Sequence, residues 1–448
     1  VQARGSLLLL SALVLICGLL RAGYEPGDTQ TPASRVELSF WNGFTGPDGR
    51  VMLGIVREFN TANPDVHVTM QRMDWGTYYN KLLVSCADGR GPDVLVSHAS
   101  TLTRLVMAHC LELADDLYAT TAPDARSPDL GSTAPSPGDF DEVVLEQLRF
   151  QGHYVGLALD VHPQGLYANL DLLEQGGIDH LPRTGDELVA TALKLKRQGT
   201  SRDDELWGFS LTMWRNNFFS LVPQFGGRLV DDHGLPTLDL PENIAALERL
   251  VRLVRSEQAA PDPENNLGWV GFRQKKIAMV MDGIYMLGDL QRLSGLRYAA
   301  VPTPQFGPHP GTHGDSHVLC IRRGVSPRTR EAAVRFIRFL SAHSIEWAQA
   351  GQVPARRSVR ATDAFRAMPV QYQFSLQVPY VRYPPRTPIL FELTAEVDVA
   401  VERALRGRMT SAEALQEAQA NVTRFLRRSR EEGSDPFSST LTPAAEAR

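Results

Sequence analysis

Val36-Glu37-Leu38-Ser39-Phe40-Trp41 alternates at the period of a half-buried strand. Gly43, Gly46, Pro47 and Gly49 mark the loop after it, and Met52, Ile55, Val56 and Phe59 then recur at helical spacing. Val66-His67-Val68-Thr69-Met70 predicts a second strand, Tyr79, Leu82 and Leu83 a second helix, and Val94-Leu95-Val96 a third strand. Strands that alternate with helices predict an α/β fold, with a mostly parallel sheet flanked by helices. Residues 119–138 are dense in Pro, Ser, Thr and Asp and read as a surface excursion. The pattern resumes at Tyr154, with helices near 186–197 and 243–255 and a hairpin around Gly226–Gly234 between them. Tyr298-Ala299-Ala300-Val301 predicts a strand that runs into Pro302 and Pro304. Ala332, Ala333, Phe336, Ile337 and Leu340 form one helical stripe, and Leu415, Ala418, Val422, Phe425 and Leu426 another. After Ser429 the chain turns polar, and residues 429–448 read as a disordered tail.

The N-terminus sets the compartment. Arg4 precedes an apolar run from Leu7 to Leu20, too short to span a bilayer comfortably but suited to a secretory signal. Residues 1–23 are therefore read as a signal peptide and 24–35, rich in Pro, Thr and Gly, as a tether. Val14-Leu15-Ile16 lacks the small residue that lipidation signals place before the cysteine, so a lipid anchor on Cys17 is the less favoured mode of export. The expected location is periplasmic or extracellular. Composition excludes other classes. Hydrophobic residues at 43% and charged residues at 22% fit a globular body, and a net charge of -5 with no basic block argues against nucleic acid.

Among the four cysteines, Cys17 lies in the leader and leaves three in the body. A Cys86–Cys110 disulfide would suit an oxidising compartment, but the favoured reading takes Cys86, Cys110 and Cys320 as small buried hydrophobes. No G-x-S-x-G, H-E-x-x-H, G-x-x-x-x-G-K-[ST] or G-x-G-x-x-G motif is present. His309, His313 and His317 are spaced by four, as metal ligands on a helix would be. Pro308, Pro310, Gly311 and Gly314 break any helix there, and the run reads as a polar loop near a hinge. No metal and no cofactor is expected.

The order of segments from Val36 to about Leu426 resembles the carbohydrate-type, maltose-binding-like extracellular solute-binding proteins of ABC importers. Phe59-Asn60-Thr61-Ala62-Asn63-Pro64-Asp65-Val66 is similar to that family's F-N-x-x-N-P passage from helix to strand, and Gly91-Pro92-Asp93-Val94 to its P-D-V strand start. Gly152 to Ala158 resembles its G-K-x-Y-G-x-P hairpin, Tyr167-Ala168-Asn169-Leu170-Asp171-Leu172 its Y-N-K-D-L, Phe272 to Met279 its F-x-x-G-K-x-A-M, and Val353 to Arg357 its G-x-x-P-x-R crossing. Ala158, Ala168, Gly185, Lys275 and Tyr285 depart from it. The resemblance implies two α/β lobes of periplasmic-binding-protein type with a ligand cleft between them. Carried over, lobe 1 is 36–159 with a return at 302–343, and lobe 2 is 160–301 with a return at 344–428. It also implies a monomer that closes on its ligand and delivers it to ABC permease subunits with an associated ATPase.

A sugar needs rings for its C–H faces and polar groups for its hydroxyls. Ligands of open α/β sheets sit beyond the carboxyl ends of strands. Trp41, Asn42 and Phe44 follow the first strand, Trp75 and Tyr78 the second, and His98 the third. Asp160 lies at the expected hinge, where His162 could also reach the cleft. Trp214, among Arg and Asn, is a candidate stacking platform, and Asp282, Gly283 and Tyr285 follow a further strand. Gly314, Asp315 and Arg356 complete the set. The alternatives are a glycerol-phosphate-type ligand, a sensory binding protein, or a glycoside-cleaving enzyme using Asp160 and Asp282, although no catalytic residue is expected.

Overall fold

The structure is a computed structural model that describes residues 35–87, 89–119, 134–198, 205–262 and 267–438. The expected signal peptide and most of the tether lie outside these residues. So does 120–133 of the surface excursion, whose base is closed by Ala119 N–H donating to the Pro135 carbonyl at 3.0 Å.

Among the described residues, fourteen strands follow in chain order. They are β1 (Val36–Asn42), β2 (Val66–Arg72), β3 (Val94–His98), β4 (Arg149–Phe150), β5 (His153–Tyr154), β6 (Leu157–Ala158) and β7 (Asp160–Asn169), then β8 (Ser210–Leu211), β9 (Met279–Gly283), β10 (Tyr298–Pro302), β11 (Thr312–Asp315), β12 (His317–Ile321), β13 (Val353–Pro354) and β14 (Val381–Arg382). The first sheet has the order β2-β1-β3-β12-β6. Its β1 pairs in parallel with β2 and β3, while β12 is antiparallel to both β3 and β6. The second is built around β7, with the order β14-β11-β7-β9-β8, and β10 and β13 also pair with β7. Its pairs to β7 are all antiparallel, and only β8–β9 and β11–β14 are parallel. Parallel pairing therefore dominates the N-terminal βαβ units alone.

The described residues hold two buried apolar clusters, and the first runs from the first sheet to Tyr167, Val280 and Ala300 of the second sheet. Phe40, Phe59, Val94, Phe336 and Trp347 belong to the first, and Leu188, Phe218, Leu247, Val401 and Leu415 to the second. In the first, the ring of Phe336 meets Phe40 edge-on at 5.2 Å and Phe59 at 5.0 Å. The helix Pro47–Ala62 starts on Pro47, whose missing N–H is no loss in a first turn, and buries Met52, Ile55, Val56 and Phe59. The helix Ser411–Glu431 opens on a capping box between Thr410 and Glu413.

Two boundaries differ from the sequence reading. Pro302 does not end the second lobe, because β11 still pairs with β7; the chain passes to the first sheet at Ser316, between β11 and β12. Trp347 packs on Phe44 at 4.7 Å, so the stretch after residue 344 is still on the first lobe before Phe374 meets Tyr167 of β7 at 5.4 Å. The polar tail also starts later than Ser429. The last helix runs to Glu431, Arg430 bonds Asp435 at 3.2 Å, and Phe437 packs against the second core.

Candidate functional site

A cleft of about 350 Å³ lies between the lobes. His98, Ser100 and Thr101, at and just beyond the carboxyl end of β3, form one wall. His162 and Gln164 of β7, with His313 and Asp315 of β11, form the floor. Arg215, Asn216 and Phe219 of the helix Trp214–Gln224, together with Tyr285, face them, and Phe391 and Thr394 close the rim. A wider groove of about 930 Å³, lined by Arg183, Gln224, Gln305 and Tyr380, takes no wall from the first sheet. Only the smaller cleft is walled by both sheets, which is the arrangement that closure on a ligand requires.

Contacts between the lobes hold its shape. Asp315 accepts hydrogen bonds from Ser100 Oγ at 2.5 Å and Ser100 N at 3.2 Å. The Arg104 guanidinium lies 4.9 Å from the Phe391 ring centre. Arg386 donates to the carbonyls of Glu146 at 2.7 Å and Arg149 at 2.8 Å.

Beneath the floor sits a buried polar node. Asp160 is wholly buried. Its Oδ1 accepts the His317 backbone N–H at 2.8 Å, and its Oδ2 accepts Trp347 Nε1–H at 2.7 Å and lies 2.7 Å from His317 Nδ1. His162 Nδ1 is 3.4 Å from Oδ1. Burial alone would raise the Asp160 pKa, but the charge of His317 and hydrogen bonds from both histidines outweigh it and hold the carboxyl well below its usual range. Burial alone would likewise lower His317, but the Asp160 carboxylate reverses this and the ring stays protonated more readily than a free imidazole. Asp160, His162 and His317 offer ligand atoms within 4.8 Å of one another. Both Asp160 oxygens are already engaged by donors, so the group is built as a hydrogen-bonded ion pair at the lobe crossing.

The cleft histidines differ. Burial, followed by the charge of His317, lowers His98 to about 3, and burial lowers His313 to about 3. Both are neutral at physiological pH, each offering one donor and one acceptor. Tyr79 Oη meets His98 Nδ1 at 2.7 Å and fixes its ring.

Of the residues singled out in the sequence, His98, Tyr285 and Asp315 line the cleft, as does His162. Gly283 acts through its lack of a side chain: a Cβ there would come within 2.0 Å of the Tyr285 ring, which lies over it. Trp75 stacks on His317 at 5.6 Å and 11° and stands 4.4 Å from His98, so it supports the wall from behind. Gly43 lets it do so, since a Cβ there would enter the Trp75 ring at 2.1 Å. Phe44 is buried between His317 and Trp347, and Asn42 is buried with its Oδ1 accepting the Phe44 N–H.

Others are placed elsewhere. Tyr78 is a core residue, wholly buried, its hydroxyl donating to the Val96 carbonyl at 2.5 Å. Trp41 packs against the first core under Lys81, whose Nζ is 4.3 Å from the ring centre. Asp160 and Asp282 are buried and line no part of the cleft; burial raises Asp282 to about 6. Gly314 pairs with Pro163 in the second sheet. Arg356 is committed to Asp139, Nε to Oδ2 at 2.7 Å. His309, His313 and His317 do not form one face: His313 and His317 sit buried on separate strands, so they are not a polar loop either.

Trp214 packs against the second core with the Arg406 guanidinium 5.6 Å from its ring centre, while its neighbours Arg215 and Asn216 reach the cleft. Trp214→Ala is therefore expected to lower the melting midpoint by several degrees, as loss of a packed aromatic does, and to leave ligand affinity nearly unchanged. An unchanged midpoint with weakened binding would restore it to the site.

The sequence reading missed Ser100, Gln164, Arg215, Asn216, His313 and Phe391 as cleft residues. Gln164 and His313 carried a findable signal: each is a polar side chain in a stretch destined for burial on both sides. Phe391 gave none, because its helix reaches the cleft only through the fold.

In solved structures the fold matches the MalE protein of the phytopathogen Xanthomonas citri, with 22% identity, TM-score 0.73, and 89% of this chain and 99% of that one covered. It also matches an ABC substrate-binding protein of Listeria monocytogenes in complex with cycloalternan (19%, TM-score 0.72, 88% and 99%) and a maltose-bound MalE3 of T. maritima (24%, TM-score 0.70, 87% and 100%). A binding protein of Brucella abortus (strain 2308) is 20% identical over 413 residues, covering 88% of this chain and 93% of its own. The profile of the family described as bacterial extracellular solute-binding protein matches residues 54–370. That span takes in β2 to β13 and most of the cleft, and the chain belongs to the bacterial extracellular solute-binding protein family.

Proposed function

We propose that this protein captures a carbohydrate in the cleft, closes its two lobes on it and delivers it to the permease of an ABC importer. The observation that carries this reading is the composition of the cleft. Neutral histidines, Asn216, Gln164, Arg215 and Asp315 offer both donors and acceptors, while Tyr285, Phe219 and Phe391 offer rings. Such a set suits hydroxyl rims and C–H faces. A phosphate-bearing ligand would be better served by several unpaired cations, and the single cleft arginine is bonded to Asp398 at 2.5 Å. The structural neighbours from Listeria and T. maritima, whose ligands are carbohydrates, support the same class. Delivery to a permease, action as a monomer and an exported location follow the habit of the family.

Catalysis is disfavoured. Glycoside cleavage takes two carboxyls flanking the sugar, and among the described cleft-lining residues Asp315 is the one carboxylate. A thermal-shift panel of monosaccharides, malto-oligosaccharides and glycerol phosphates tests the reading. A sugar at 100 times its Kd should contribute about 2.7 kcal/mol to the folded state and raise the midpoint. A rise with glycerol phosphates alone would overturn the carbohydrate assignment.

A further inference from the structure

Cys86 and Cys110 each come at the end of a helix that starts beside the cleft wall, at Trp75 and after Thr101. Cys86 closes the helix Trp75–Ala87, and Cys110 follows the helix Leu102–Met107. Both are free thiols here, each close enough to shift the other's ionisation, with Cys110 Sγ directed to the Ala108 carbonyl at 3.8 Å. The backbone brings them together independently of that contact. Arg323 N–H donates to the Cys110 carbonyl at 2.9 Å, and the preceding Arg322 sits beside Gly91, whose Cβ position is 2.9 Å from Arg322 Cδ and 3.6 Å from Cys86 Sγ. The two cysteines thus flank the same turn of chain after β12. Cys86 is partly exposed, Cys110 is buried, and Cys320 is fully buried with its Sγ directed to the Val318 carbonyl.

We propose that Cys86 and Cys110 form a disulfide in the mature protein, a staple joining the ends of the two helices that start beside the cleft wall. Disulfides form and persist in extracellular and periplasmic settings, and this family is an extracellular one. The proposal rests on that setting and on the thiol pair, not on the identity of the ligand. The neighbouring Cys110 thiol and, after it, the Arg322 charge favour the Cys86 thiolate, while the neighbouring Cys86 and then burial disfavour that of Cys110. Cys86, the more exposed and more acidic thiol, is therefore the first attacker. Its thiolate displaces one sulfur of an oxidant's disulfide, either a disulfide oxidoreductase or a small-molecule disulfide. The resulting mixed disulfide is then attacked by Cys110, which loses its proton. The Cys86–Cys110 bond forms, the second oxidant sulfur leaves, and two electrons and two protons have passed to the oxidant, now a dithiol.

The closed loop has functional content. From Cys86 the chain runs through β3 to His98, Ser100 and Thr101 in the cleft wall, then back along the helix Leu102–Met107 to Cys110. The staple ties the base of the loop whose tip lines the cleft.

The test is peptide mapping, without reductant, of the full chain produced with its leader and recovered from the exported compartment. The expected result is a cross-linked peptide pair holding Cys86 and Cys110, lighter by two hydrogen atoms than its thiol form, with Cys320 alkylated only after unfolding. Reductant should lower the melting midpoint of this material by several degrees and leave that of Cys86→Ser and Cys110→Ser unchanged. Recovery of Cys86 and Cys110 as free thiols, even after incubation with glutathione disulfide, would overturn the proposal, as would pairing of either with Cys320. Because the mapping uses the natural sequence, it stands even where a serine variant folds poorly.

Discussion

Asp160→Ala is expected to cost about 3–5 kcal/mol of folding stability, the range for removing one partner of a buried ion pair. The loss would leave His317, 5% exposed, without its counter-charge, and would strip Trp347 Nε1 and the His317 N–H of their acceptor. A urea titration at neutral pH reads the loss as a lower midpoint, and an unchanged midpoint would remove the node from the stability of the hinge. The pH dependence has a definite sign. The folded pKa of Asp160 is depressed, so its contribution is present above the free carboxyl value of 3.8 and is lost as the pH falls through the lower folded value. The folded pKa of His317 is raised, so its contribution is present below 6.5 and is lost as the pH rises through the higher folded value. His98 and His313, lowered to about 3, bind protons in the unfolded state between 6.5 and about 3, so stability falls as the pH drops through that window. Asp282, raised to about 6, acts oppositely between 3.8 and about 6. His98 and His313 therefore take stability from the natural protein as the pH drops below 6.5, opposed by Asp282 and by Asp48 and Asp398, which burial also raises. Asp160→Ala should flatten the part of the profile that the pair contributes.

Tyr285→Ala should weaken carbohydrate binding by roughly five- to thirtyfold, since loss of a stacked ring costs about 1–2 kcal/mol and each 1.4 kcal/mol is a factor of ten. Tyr285 is 36% exposed at the cleft, so its ring has a face to offer, and its hydroxyl lies 3.4 Å from Gln164 Nε2. The same exposure predicts little change in the melting midpoint without ligand. Calorimetric titration with whichever sugar raises the midpoint in the panel gives the comparison; an unchanged Kd would place the sugar elsewhere in the cleft. Gly283→Ala offers an independent approach to the same ring, because the new methyl must push it aside.

The elements were legible where their side chains keep one period and one face. The helix over Met52 to Phe59 and the strand over Leu38 to Asn42 are of that kind. The two-lobed class was legible because segment order survives when individual residues drift, as at Ala158 and Gly185. The second sheet was harder to see. β7 is buried at all ten positions, so it has no alternation and its sequence names no partner. The site was legible only in part, for a physical reason. Strand ends can be located, which found His98, Tyr285 and Asp315. Whether a ring near a strand end faces solvent or core depends on what packs behind it. Tyr78 and Trp214 carry no local mark of the Val96 carbonyl or the Arg406 guanidinium that claim them. Phe391 and Thr394 reach the cleft from more than a hundred residues beyond the helix they face.

The place of β12 in the first sheet has a consequence for how the chain acquires its structure. β3 and β6 do not touch; β12 lies between them and pairs with both. The sheet therefore cannot be completed until residue 321 has joined it, after the chain has laid out much of the second lobe. Pairings this distant in sequence make for slow folding, because loop-closure entropy is lost before any contact repays it. Until β12 arrives, β3 and β6 each present an unpaired edge, the kind of edge on which another chain can pair.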